Sequence, residues 1–243
     1  MSGPVNFSLG SLVDHILRQA WPPSCLACGL PGDDASGRDL CPACLAALPW
    51  NLHACRHCAL PLPPHDAGTA CGECLSRASP LGTVRAAFAY AAPLDRLLPM
   101  FKFHQSLAAG RLLSGLMADT LVGAATPDAV LVPIPLHRAR LRQRGYDQAL
   151  ELAAPLARRL RLRCDPTLLS RPKATAAQSR LDKTARRRNL HGAFSVRGPG
   201  ALPARIVLID DVMTTGATLE AAACALRAAG ATRVDAWVCA RVA

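Results

Sequence analysis

Aromatic residues are scarce. Five Phe, two Tyr and three Trp make up 4% of 243 residues, too few for a strong base-stacking platform on single-stranded nucleic acid, and the core must come mainly from Leu, Val, Ile and Ala. Lysine is scarcer still, confined to Lys102, Lys173 and Lys183. The net charge of +11 is therefore mostly guanidinium, which suits bidentate contacts to phosphate. No run approaches the roughly 18 uninterrupted apolar residues of a membrane span. Met1 to Ala20 lacks a basic leader and is interrupted by Asp14, His15 and Arg18, so no signal peptide is expected and the cytoplasm is the expected location.

The charge that is present is concentrated. Between Arg138 and Arg188 stand fifteen Arg or Lys against four acids, Asp147, Glu151, Asp165 and Asp182, which accounts for the whole excess. Such a block can be a footprint for nucleic acid, a cradle for a polyphosphate or a solvated face, and composition leaves the three open. A chain of this length can hold one sizeable core and a small module.

Eight of eleven cysteines fall in Cys-x-x-Cys pairs, Cys25/Cys28, Cys41/Cys44, Cys55/Cys58 and Cys71/Cys74, while Cys164, Cys224 and Cys239 lack close partners and are expected as small core residues. Two thiolates on one tight turn reach a single ion, and two such turns complete a tetrahedral zinc site closed to water. Disulfides do not fit a cytosolic chain, while iron–sulfur clusters accept the same four thiolates. Each ligand recurs thirty residues on, from Cys25 to Cys55 and from Cys41 to Cys71, with Leu30-Pro31 matching Leu60-Pro61. A duplicated unit carries its own complete site. Two structural zinc ions are expected, one on Cys25, Cys28, Cys41 and Cys44, the other on Cys55, Cys58, Cys71 and Cys74; a crossed pairing stays open.

The stretch from Ala204 to Leu219 carries the chemistry. Ile206 to Ile209 is a short, branched apolar run that reads as a strand buried on both faces of a parallel sheet. It is expected to end on Asp210 and Asp211. The loop Val212, Met213, Thr214, Thr215, Gly216, Ala217, Thr218 supplies hydroxyls and a permissive glycine, and a helix is expected over Leu219 to Ala229, closed by Gly230. Amides converging on a helix N-terminus make an anion site. The two carboxylates repel that anion but suit the vicinal hydroxyls of a ribose. Phosphate plus diol points to a ribose 5-phosphate. The plainer reading is a buried strand whose acidic end caps the next helix, and the Thr-Thr-Gly-x-Thr tail tips the balance away from it.

Ile206 to Leu219 resembles the phosphoribosyl pyrophosphate signature of type I phosphoribosyltransferases, and the chain as a whole resembles the ComF family, linked to uptake of transforming DNA. That likeness implies a double zinc ribbon followed by a parallel-sheet, α/β phosphoribosyltransferase-like domain that takes Mg²⁺ with its substrate. It implies that Asp210 to Thr218 bind phosphoribosyl pyrophosphate. Val-Pro-Ile-Pro-Leu and Arg-Gln-Arg-Gly-Tyr-Asp-Gln resemble the ComF version of the pyrophosphate loop, placing Pro133, Ile134, Pro135, Leu136 and His137 there, with Arg144 nearby. Tyr146 and Asp147 stand where Phe and Asn are more usual. Lys-Phe-His at Lys102 to His104 also matches, without the usual glycine after it, where Gln105 stands. For Lys102 a phosphate contact and an ordinary surface lysine both remain open. The strongly basic segment around 171–194 is expected to be a flexible loop over the substrate, with Thr175 and Gln178 at matching positions; excluding water there would protect an oxocarbenium-like ribosyl centre.

The expected organisation is a helix over 1–22, the double zinc ribbon over 23–80 and the phosphoribosyltransferase-like domain over 81–243. Buried strands are expected at 129–135, 204–211 and 233–242, with helices over Leu94 to His104, Leu107 to Val122 and Gln148 to Leu160. The expected function is binding of phosphoribosyl pyrophosphate and transfer of ribose 5-phosphate to an acceptor that no residue identifies, with no catalytic group assigned. The alternative is a non-catalytic protein that handles single-stranded DNA, or works beside competence DNA-uptake proteins, and is regulated by phosphoribosyl pyrophosphate.

Overall fold

The computed structural model describes residues 24–33, 37–66, 68–173, 192–198 and 200–243. The helix expected over 1–22, and Thr175 and Gln178, lie outside them. A parallel sheet organises the second part of the chain: β1 (Val84–Ala89), β2 (Ala129–Pro133), β3 (Arg163–Cys164), β6 (Arg205–Met213) and β7 (Arg233–Arg241), in the order β1-β7-β6-β2-β3. A separate antiparallel pair, β4 (Leu169–Ser170) and β5 (Ser195–Val196), stands beside it. The helices are α1 (Pro42–Ala46), α2 (Gly72–Leu75), α3 (Leu94–Phe103), α4 (Leu107–Leu121), α5 (Arg138–Arg144), α6 (Gln148–Leu160) and α7 (Ala217–Ala228).

The apolar run of β6 is buried on both faces because helices cover both. Val207 and Ile209 pack with α4 and α6, through Leu113, Leu116, Leu152 and Leu156. Ile206 and Leu208 point the other way onto Leu219, Ala222 and Leu226 of α7. Together with a short continuation to Ala124, α4 is long and apolar enough to span a bilayer by length and composition. Its Leu113, Leu116, Met117 and Leu121 are instead spent on this core.

The two ribbons straddle the β1 edge of the sheet. Cys25, Leu40 and Leu48 of the first join the α4 face, while Ala59 of the second joins the α7 face. Between them the chain runs along β1: Ala89 N–H donates to Pro49 O at 2.8 Å, Asn51 N–H to Ala87 O at 3.0 Å and Val84 N–H to Arg56 O at 2.9 Å. Trp50 stacks on the fully buried Phe88 with ring centroids 4.8 Å apart. An edge that would otherwise invite another strand is thereby closed.

Three local expectations are corrected. Strand β6 continues past the two aspartates to Met213, because Val212 and Met213 still pair with Ala240 and Arg241 of β7. Helix α7 accordingly starts earlier, at Ala217, with Gly216 as its N-cap at φ 78°. Finally, Cys224, expected as a small core residue, is exposed on α7.

At the amino end of the sheet Asp235 is fully buried. Its carboxylate accepts from Thr83 N–H at 2.8 Å and from the Nε of Arg205 and Arg233 at 2.8 and 3.0 Å. One side chain thus ties the starts of three neighbouring strands.

Candidate functional site

Strand β2 leads on to β3 at one side of the sheet, while β6, its neighbour, leads on to β7 at the other. The carboxyl ends of β2 and β6 therefore open a crevice at the point where the winding reverses, the usual ligand position in such sheets. A cavity of about 620 Å³ lies there, and its walls include Asp210, Asp211, Thr214 and Thr218 from the β6 side. The loop itself encloses a cup of about 20 Å³ lined by Asp210 and Val212 to Leu219. Gly216 is needed twice over: it takes a left-handed φ, and a Cβ there would lie 2.5 Å from Met213 Cε.

Asp210 and Asp211 are adjacent but differently held. The Asp211 carboxylate meets Lys102 Nζ at 3.0 Å and accepts from Val212 N–H. Asp210 accepts from Asp211 N–H at 2.9 Å. Burial, and next the charge of Asp211, push the Asp210 carboxyl up to about 8. The folded state thus keeps a proton that the unfolded chain loses near pH 4. Stability from this group is full below that value and is lost as pH rises through about 8. Asp210→Asn, which keeps the acceptor, should melt higher than wild type at pH 8 and at nearly the same temperature at pH 4. Thermal melts across that range check this, and equal melting temperatures at pH 8 would refute it.

On the β2 side, the stretch that the family likeness makes the pyrophosphate loop has most of its amides committed. Pro133 and Pro135 have no N–H, Ile134 N–H donates to Ile209 O at 2.9 Å, and Leu136 N–H donates to Asp147 Oδ2 at 3.0 Å. Asp147 also caps α6, accepting from Leu150 N–H at 3.2 Å, and burial raises its pKa. This gives the Asp147 departure a structural role: it pins the loop to the helix. His137 is the N-cap of α5, where Ala139 N–H reaches its Nδ1 at 3.2 Å.

Positive charge on this side comes from guanidinium groups instead. Arg140, Arg144 and Arg171 all line the cavity. Burial and then Arg144 depress the pKa of Arg140, while burial and then Arg140 depress that of Arg171. Three cations held close enough to disfavour one another are stabilised by an anion among them. Arg144 donates to Gln148 Oε1 at 2.8 Å, which turns the amide nitrogen of Gln148 outward from that bond. Gln148 is buried and lines the cavity, and its Nε2 has no hydrogen-bond partner among the described residues. Lys102, Phe103 and Gln105 complete the walls. Gln105 takes the left-handed φ of 53° for which glycine is favoured.

Of the residues singled out by sequence, Lys102, Ile134, Leu136, Arg144, Asp210, Asp211, Val212, Thr214 and Thr218 share this cavity. Arg140, Gln148 and Arg171 were not singled out. The arginine block was the available signal, but nothing in it marks which members point inward.

The cysteines form two tetrads, Cys25/Cys28/Cys41/Cys44 and Cys55/Cys58/Cys71/Cys74, each with its sulfurs within 4.8 Å of one another. Cys28 and Cys41 Sγ are 3.8 Å apart, Cys58 and Cys71 Sγ 3.6 Å, near the edge of about 3.8 Å expected of a tetrahedron with zinc–sulfur bonds of about 2.3 Å. Burial works against the Cys55 thiolate, but backbone amides, led by that of Cys71, bring its pKa down to about 7. The two four-thiolate sites fit two structural zinc ions, in the uncrossed arrangement.

Residues 16–75 match the family model for a double zinc ribbon domain. The chain is 33% identical over 223 residues to the DNA utilization protein YhgH of Escherichia coli K12, covering 89% of this chain and 96% of that protein. It is 32% identical over 210 residues to competence protein F of Haemophilus influenzae, covering 83% and 90%, and 33% identical over 159 residues to competence protein ComFC of Bacillus subtilis, covering 63% and 62%. The chain belongs to the ComF family. In this ComF protein, α/β sheet and ribbon pack as one body, and the crevice faces away from the end tied by Asp235.

Proposed function

We propose that the crevice binds phosphoribosyl pyrophosphate and passes its ribose 5-phosphate to a nucleophile. The observation that supports this most is the meeting, in one cavity, of the carboxylate pair, the Thr-Gly-Thr loop and three guanidinium groups. In this reading the 5-phosphate enters the cup of Val212, Met213, Thr214, Thr215, Gly216, Ala217 and Thr218, and Asp210 and Asp211 accept from the ribose hydroxyls. Arg140, Arg144 and Arg171 take the diphosphate, in place of the largely committed amides of Pro133 to His137. Mg²⁺ bound with the substrate would offset diphosphate charge and assist its departure. Lys102, 3.0 Å from the Asp211 carboxylate, brings a further positive charge to the cavity wall.

Calorimetry with phosphoribosyl pyrophosphate and Mg²⁺ tests the site. Hydrogen bonds are worth about 0.5–1.5 kcal/mol to a neutral group and about 1.5–3 kcal/mol to a charged one, so, with Asp210 holding its proton up to about pH 8, Asp210→Asn/Asp211→Asn should weaken binding by roughly 30-fold or more. Equal heats from wild type and the double variant would place the ligand elsewhere.

A second reading, handling of single-stranded DNA with the ligand as regulator, is favoured by the names of the relatives, which speak of DNA utilization and competence. It draws on the same arginine block, but Arg140, Arg144 and Arg171 line the cavity, which leaves less of that charge for a phosphate backbone. Salt-titrated binding separates the readings: a steep fall in affinity with salt supports DNA contact, and absence of binding near physiological salt removes it.

A further inference from the structure

The second ribbon reaches the anion loop at both of its ends. Arg241, the last residue of β7, donates from Nε to the carbonyl of Cys58, a ligand of the second tetrad, at 2.9 Å. The same guanidinium donates from Nη1 to Met213 O at 3.5 Å and also to Val242 O. Val242 N–H adds a bond to Met213 O at 3.0 Å. Met213 opens the loop, and its buried side chain lies directly under Gly216. At the loop's exit Arg77, three residues after ligand Cys74, pairs with Glu220 in the first turn of α7 at 2.5 Å, and this bond raises the Arg77 pKa. The carbonyl of Gly216 in turn accepts from Glu220 N–H at 2.9 Å.

The first ribbon is tied differently. Its Arg38 pairs with Asp119 on α4 at 3.0 Å, and Asp119 also meets Arg159 of α6 at 2.8 Å. Its core residues Cys25, Leu40 and Leu48 sit on the α4 face of the sheet. The loop-bearing Met213 and α7 belong to the opposite face, together with Ala59 and Cys58. The duplicated units therefore differ in what they hold, although their ligand spacing is the same.

We propose that Arg241 is a positioning residue for the anion loop, and that through it the second four-cysteine site, unlike the first, sets how firmly the loop is held for a phosphate. A knuckle fixed by its metal presents the Cys58 carbonyl at one place. Arg241 transmits that place to the Met213 carbonyl, and Met213 supports Gly216. A loop whose amides must converge on one anion loses affinity when its entrance shifts by a fraction of an ångström. The proposal rests on the phosphoribosyl reading only for the choice of ligand.

The test uses the full chain with zinc content checked for each variant. Hydrogen exchange at the amides of 214–218 is followed in Arg241→Ala, Arg241→Lys, Arg77→Ala, Cys74→Ser and Arg38→Ala, with the β2 amides as internal control. Arg241→Ala and Cys74→Ser should quicken exchange at 214–218 about tenfold while leaving β2 unchanged. Arg241→Lys, which can keep one of the three carbonyl contacts, should lie between Arg241→Ala and wild type, and Arg38→Ala should match wild type. Should Cys74→Ser fail to fold, the Arg241 and Arg38 variants still decide the matter. Ribose 5-phosphate binding, read by calorimetry, should weaken about tenfold in the same order. Exchange at 214–218 equal to wild type in Arg241→Ala, or equally quickened in Arg38→Ala, overturns the proposal. If wild type gives no heat with ribose 5-phosphate, the phosphoribosyl reading fails, while the exchange data judge the coupling independently.

Discussion

Extracting the metal should unfold both ribbons and carry the sheet edge with them. Helices α1 and α2 have five and four residues and bury none, far below the length at which a helix persists without outside support. The ribbons therefore have little besides their metal sites and a few contacts to the sheet. Small zinc modules draw apparent binding energies of about 10–16 kcal/mol from the ion, and nothing in these segments replaces that. Losing them also frees Ala89 N–H, Ala87 O and Val84 N–H along β1 from their partners in Pro49, Asn51 and Arg56. Chelation is expected to release two equivalents of zinc, lower the melting temperature by more than about 10 °C and promote edge-to-edge association. A metal-sensitive dye counts the ions, and light scattering follows association. Release well below two equivalents, or an unchanged melt, would sink the two-site structure.

Replacing Asp235 by Ala should be the most damaging single change in the parallel sheet. Its side chain is 1% exposed, and its partner Arg205 is 14% exposed. Removal takes from Arg205 its buried counter-charge, leaving Thr126 Oγ1 at 2.8 Å as a hydrogen-bond partner, and leaves Thr83 N–H without its acceptor. Breaking a buried pair on one side costs about 3–5 kcal/mol. A urea titration should show that loss as a shifted midpoint with little change in slope. Asp235→Asn, which still accepts two hydrogen bonds but lacks the charge, should fall between. A loss under about 1 kcal/mol in Asp235→Ala would mean that Arg205 and Arg233 find water instead.

What sequence conveys here depends on how far apart the cooperating residues lie. The cysteine tetrads are legible because ligand count and spacing are local and the duplication repeats both. The core strand is legible because Ile206 to Ile209 are apolar without a break. Its end is not, since Val212 and Met213 stay in the sheet only through β7. Helix α5 leaves little periodic trace: Arg138-Ala-Arg-Leu-Arg-Gln-Arg144 buries no residue and is framed instead by the His137 cap and by Gly145 at φ 81°. The guanidinium wall escapes sequence reasoning for a related reason. Arg140 lies in α5 and Arg171 just after β4, and only the fold brings them into one cavity.

The hydrogen bond from Leu136 N–H to Asp147 bears on substrate selectivity. A cradle of fixed amides measures the position of one phosphate, whereas guanidinium forks carried on long, rotatable side chains can follow phosphates placed differently. With Leu136 committed to Asp147, the wall of Arg140, Arg144 and Arg171 should accept inorganic diphosphate, nucleotides and other polyanions as competitors. Discrimination for the proposed donor then falls to the opposite wall, where only a sugar with free vicinal hydroxyls satisfies Asp210 and Asp211. On the proposed function, the cavity would be permissive at the leaving group and exacting at the part of the substrate it keeps.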